Sequence, residues 1–156
     1  MTNQKKGIAL LMAVYISSAA IMLGLGVLML LFGELGLTGS AKGSAVAFYG
    51  ADTGIECGLY YDMRQNAFST TTPITPINCN GGLRSVTFTR IDTNGDGLQN
   101  GGNFTFDFSV SSNACVKVTV QKLESGQTVI DSFGQNVSDC AIVSQKSAQR
   151  GLEVSY

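Results

Sequence analysis

Asp92-Thr-Asn94-Gly-Asp96-Gly97 sets oxygen-bearing side chains at alternate positions and glycine at the sixth. Hard oxygens in that order wrap Ca²⁺, and glycine there permits the sharp turn. Leu98 would offer its carbonyl, and Asn100 stands at the ninth position. The twelfth position is Asn103 where a bidentate glutamate is wanted, and no flanking helices are evident. Asn94-Gly95 and Asp96-Gly97 are also hairpin-turn dipeptides. Two expectations follow: calcium held by Asp92, Asn94, Asp96 and Leu98, or a plain turn between two strands.

Cys57, Cys79, Cys115 and Cys140 are the other reactive side chains. None forms a C-x-x-C pair, which disfavours zinc or thioredoxin-like chemistry. An even count beyond an apolar segment predicts two disulfides in an oxidising compartment. Three pairings are open; Cys57–Cys79 and Cys115–Cys140 are favoured because each closes a moderate loop. The chain has no histidine, which excludes histidine catalysis and histidine metal ligation. A serine nucleophile would then need a lysine or metal partner, and no Ser-x-x-Lys stands out. Asp92, Asp96 and Asp107 could be read as paired carboxylates, but exposed turn and strand positions explain them more cheaply. No enzyme is expected.

These groups must be positioned by a chain of 156 residues, enough for one domain plus an anchor. Charged residues are 13% of it, and the deficit is concentrated near the N-terminus. From Ile8 to Gly33 there is no charge at all. As a helix at ~1.5 Å per residue, that run crosses a ~30 Å hydrocarbon layer. Lys5 and Lys6 precede it, and no basic residue follows until Lys42. The positive-inside rule therefore places the N-terminus in the cytoplasm and the remainder outside. The run is too long for a secretory signal region of ~7–15 residues, although Gly39-Ser40-Ala41 could be cut. The formal charge of −1 gives no electrostatic case for nucleic acid or an anionic membrane surface.

Beyond the run, Ala41, Ala45, Phe48, Ile55 and Leu59 recur near the helical period. They are expected to lay one face on a globular head. Gly50, Gly54 and Gly58 share a face, as do Gly39, Gly43 and Ala47. Each glycine costs a helix ~1 kcal/mol relative to alanine, so the rows imply close approach to another helix or to the chain's own sheet. For Gly24, Gly26, Gly33 and Gly36, local helix melting during assembly is the alternative. Residues 63–79 are rich in Thr, Ser, Asn and Pro and read as a surface loop. Phe104, Phe106, Phe108 and Val110 alternate with polar residues, as do Val116, Val118 and Val120. That period of two predicts half-buried strands. Further strands are expected at Arg84–Ile91, Thr128–Phe133 and Leu152–Tyr156. The order predicts an α+β fold, with a long N-terminal helix packed on an antiparallel sheet.

Met1-Thr-Asn-Gln-Lys-Lys-Gly7, set directly against the apolar run, resembles a type IV prepilin leader. Ala47-Phe-Tyr-Gly-Ala-Asp-Thr-Gly-Ile-Glu56 resembles the stretch after the membrane helix in minor-pilin-like precursors. The resemblance covers roughly the first third of the chain. It implies the pilin fold and cleavage between Gly7 and Ile8 by a membrane-embedded prepilin peptidase. It also implies the divisions 1–7 leader, 8–33 transmembrane and filament-core helix, 34–62 helix continuation and 63–156 β head. The implied partners are membrane lipid, the inner-membrane assembly machinery and other pilin subunits met through the N-terminal helix. The implied localisation is the cytoplasmic membrane as precursor and an extracellular filament after assembly. Met12 stands where the family usually has glutamate at the fifth mature residue, and Ile8 where many members have phenylalanine. That departure points to a minor, tip or accessory subunit, and Glu34 reads as a solvated residue at the membrane boundary. The alternative is a permanently anchored extracellular binding module, calcium-dependent if the Asp92 loop takes the ion.

Overall fold

The computed structural model describes residues 3–73, 75–92, 95, 97, 99–141 and 147–156, with side chains from residue 8 onward. Helix α1 spans Asn3–Met63. The chain divides into two units, Met1–Ser40 and Ala41–Tyr156.

The first unit is the apolar part of α1. Every described side chain in it is exposed, from Leu28 at 49% to Met29 at 80% among the large apolar ones. Three of its hydroxyls bond back to the helix itself. Ser17 Oγ donates to the Val14 carbonyl (3.0 Å), Ser18 Oγ to Tyr15 (2.9 Å) and Thr38 Oγ1 to Glu34 (2.8 Å). Such back-bonding spares those three hydroxyls a need for water, which suits a hydrocarbon surrounding.

The second unit is α+β. A small hairpin, β1 (Ile77–Cys79) with β2 (Gly82–Arg84), stands apart from a five-stranded antiparallel meander. The meander runs β3 (Thr87–Ile91), β4 (Gly101–Ser111), β5 (Ala114–Lys122), β6 (Thr128–Gln135) and β7 (Gln149–Ser155). Strand alternation decides its inner face. Phe104, Phe106 and Phe108 on β4 oppose Val120, Val118 and Val116 on β5, and all six are buried. Each such side chain contributes ~1.5–3 kcal/mol when removed from water. The expected strand at Arg84–Ile91 is broken at Ser85 and Val86, so Arg84 closes β2 and β3 begins at Thr87.

The helix meets this sheet through its smallest residues. Val116 and Gly134 lie over Gly50, Ser132, Val116 and Val118 over Gly54, and Ile130 over Gly58. The glycine row thus faces the chain's own sheet. The expected packing face needs correction: Ala41, Ala45 and Phe48 are exposed, while Ala47, Ala51 and Ile55 are buried. Leu59 packs at the margin of the core. Hydrophobicity and closeness compete here, and closeness wins. A phenylalanine on the inner face would hold the helix too far out for Gly50 and Gly54 to touch valine side chains.

Ser132 Oγ is fully buried over Gly54 and has no hydrogen-bond partner. Burying a hydroxyl unpaired costs ~1–3 kcal/mol. Ser132→Ala is therefore expected to leave stability unchanged or raise it by up to about 1 kcal/mol in urea unfolding. A clear loss would show that the hydroxyl has a partner.

The helix ends by a defined device. Asn66 takes φ 49°, the Asn66 N–H donates to Asp62 O (3.1 Å) and the Ala67 N–H to Tyr61 O (3.0 Å). This is a left-handed asparagine stop whose nested bonds run one residue wider than those of a Schellman motif. It turns the chain into the loop leading to β1.

Candidate functional site

The feature with the largest physical consequence is the exposed apolar surface of the first unit. Nineteen large apolar side chains between Ile8 and Leu37 are exposed. In water, at ~1.5–3 kcal/mol each, the forgone burial is on the order of tens of kcal/mol. That exceeds the ~5–15 kcal/mol by which a whole domain is stable. The surface must be covered, and the helix is long and apolar enough to cross a membrane. Gly7 and Ile8 lie within α1 at its start, and Ile8 is 63% exposed. Met12 is likewise exposed.

Two disulfides tie the second unit. Cys57 on α1 joins Cys79 on β1 with Cα atoms 6.0 Å apart, and Cys115 on β5 joins Cys140 at 5.4 Å. They span 22 and 25 residues, the moderate loops that the spacing favours. Loops of that size correspond to about 3 kcal/mol each in the chain-entropy view. The first fastens the helix to the segment after the 63–76 loop. The second holds the segment following β6 against the start of β5.

Of the calcium candidates, Asn94, Asp96 and Leu98 lie outside the described residues. Asp92 is described, and its carboxylate organises a turn. Oδ1 accepts the Gly95 N–H at 2.6 Å and Oδ2 the Gly97 N–H at 2.8 Å. Gly95 (φ 80°) and Gly97 (φ 85°) are left-handed, which glycine alone adopts freely. Among the described residues, no three acidic or cysteine side chains gather at one point. Asp107 lies on the outer face of β4 opposite Lys117 of β5.

A polar cluster that sequence reasoning missed centres on Asp62, in the last turn of α1 and 7% exposed. Its Oδ2 accepts Lys122 Nζ at 2.6 Å and the Tyr156 hydroxyl at 2.6 Å. Lys122 Nζ also donates to Thr128 Oγ1 at 2.7 Å. Tyr156 exchanges both backbone hydrogen bonds with Thr128. Burial first, then the Asp62 hydrogen bond and charge, hold the Tyr156 phenol well above its ordinary pKa. The signal was present in the sequence: Asp62 continues the buried row of Ala51, Gly54, Ile55 and Gly58 at helical spacing. An acid on a buried stripe needs a partner. The cluster fastens the end of α1 to β5, to β6 and to Tyr156 beyond β7. Neither a family model nor a curated protein or solved structure matches this sequence.

Proposed function

We propose that the chain is a structural subunit of a type IV pilus or related filament, cleaved after Gly7 and assembled through its apolar helix. The carrying observation is that helix: it is charge-free from Ile8 to Gly33 and uncovered, and its serines, Ser17 and Ser18, bond back to its own carbonyls. Lipid covers such a surface before assembly, and the helices of neighbouring subunits cover it afterwards. Buried contacts are thereby exchanged for other buried contacts, with no step in water. Lys5 and Lys6 orient the precursor with its second unit outside, where disulfides persist. Met12, in place of the glutamate usual in pilins, favours a minor, tip or accessory place over a self-assembling major one. The pilin fold is the finer reading of the α+β unit, supported by the helix-on-meander order.

The mature N-terminus tests this. Mass spectrometry of the protein from its own cells is expected to find Ile8 first. Gly7→Leu is expected to leave the leader in place and keep the chain in the membrane fraction. If the native protein retains residues before Ile8, and Gly7→Leu changes nothing, a permanently anchored extracellular binding module replaces the filament subunit.

A further inference from the structure

Phe48 is the residue that the apolar pattern turns inward and the fold turns outward. On the same side of α1, away from the sheet, stand Tyr49 and Tyr60, both exposed. Phe48 and Tyr49 meet edge to face, with ring centroids 6.0 Å apart. Lys42, Asp52 and Glu56 are exposed on this side too. Among the described residues, none of these three side chains finds an ion pair or hydrogen bond within the chain. The whole face belongs to the second unit.

The charges on this face are separated by sign. Lys42 comes first, with Asp52 and Glu56 ten and fourteen residues later. Asp52 and Glu56 are four residues apart, so two like charges are neighbours on the helix surface, which costs stability unless a cation reaches them. Lys42 of the same chain cannot, because at ~1.5 Å per residue it lies ~15 and ~21 Å away along the axis. On the filament reading, copies enter from one membrane and run parallel, because Lys5 and Lys6 orient each alike. In register, parallel copies would set Lys42 against Lys42 and the acidic pair against itself. Displaced by ~15–21 Å, they set Lys42 of one copy against Asp52 and Glu56 of the other. Tyr49 of the first copy then comes within a helical turn of Tyr60 of the second, so the exposed rings are covered by the same displacement. Such a contact is heterologous: each copy offers its lysine to one neighbour and its acids to another, so the contact extends rather than closes.

We propose that this face of α1 docks a second copy of the chain, displaced along the helix so that Lys42 of one copy pairs with Asp52 and Glu56 of the next. The inference rests on the filament reading, which supplies the parallel copies. It concerns the contact between two copies and not their number, so Met12 does not weigh against it.

The test is carbodiimide coupling of the full chain, in membranes and in filaments sheared from its own cells, with mass spectrometry of the linked peptides. Zero-length coupling cannot join Lys42 to Asp52 or Glu56 within one chain, given their separation along the helix, so such a link reports a neighbour. The link is expected in the filament fraction. Lys42→Glu is expected to lower the share of the chain recovered in filaments about tenfold, because like charges then meet. Asp52→Lys together with Glu56→Lys is expected to do the same. Combining all three substitutions is expected to restore recovery, with melting temperatures nearly unchanged throughout; residues with a merely structural role would not be rescued by exchange of charge. The proposal is overturned, with the filament reading intact, if the chain begins at Ile8 and enters filaments but no such link forms, if Lys42→Glu enters them as the parent does, or if the triple variant recovers nothing. A native chain that keeps its leader and shows no link overturns both.

Discussion

Gly134→Ala is expected to cost about 3 kcal/mol or more and to prevent the second unit from keeping its helix on its sheet. Gly134 lies on β6 directly beneath α1. A Cβ there would run into the main-chain carbonyl of Ala47 and come within 2.6 Å of the Ala51 amide nitrogen. Both obstacles are helix backbone. A flexible side chain could swing aside, but the helix could only retreat as a body. Retreat would part Gly50, Gly54 and Gly58 from Val116, Val118 and Ile130, and would strain the Cys57–Cys79 tie. Gly39→Ala is the control, because a Cβ at Gly39 meets nothing within 4 Å in the described structure. There the alanine is expected to be neutral, or to add up to about 1 kcal/mol through helix propensity. Thermal unfolding of the full chain by circular dichroism measures both. Equal melting temperatures for Gly134→Ala and the parent would show that helix and sheet are not in close contact.

That contact marks the boundary of what the residues alone disclose. The strands β4 and β5 were legible because one alternation, Phe-Thr-Phe-Asp-Phe or Val-Lys-Val-Thr-Val, admits only one inner face. The helical face was less so. Phe48 is more hydrophobic than Gly50, so a reading by apolarity turns Phe48 inward. The fold turns Gly50 inward, because the inner valines fill the space that a side chain on the helix would need. Choosing between these requires the distance between layers, which no single segment encodes. The apolar run was legible for the opposite reason: its meaning depends on length and absence of charge, not on any partner. Asp62 carried a signal, but its partners Lys122 and Tyr156 lie 60 and 94 residues away, beyond the reach of local spacing.

Asp62→Ala carries the second large effect, a loss of about 3 kcal/mol. Removing one member of a buried ion pair strands the other, at ~3–5 kcal/mol for a fully buried pair. The Lys122 side chain is 25% exposed, which moves the expectation to the low end. Tyr156→Phe deletes one hydrogen bond to a carboxylate, for which ~1.5–3 kcal/mol is usual. Because both bonds converge on Oδ2, the two substitutions should not add: the double variant is expected to lose little more than Asp62→Ala alone. Comparison with Tyr156→Phe at alkaline pH isolates the part played by the tyrosine. The Tyr156 phenol is raised in the folded chain, whereas an unfolded tyrosine titrates near ~10. The folded state therefore holds this proton more tightly than the unfolded chain does. Its contribution is complete below about pH 10 and declines as the pH rises from there toward the folded pKa. Urea unfolding between pH 8 and pH 11 should show the parent losing stability above pH 10, with a shallower decline in Tyr156→Phe. Parallel slopes in the two proteins would mean that Asp62 does not hold the phenol proton.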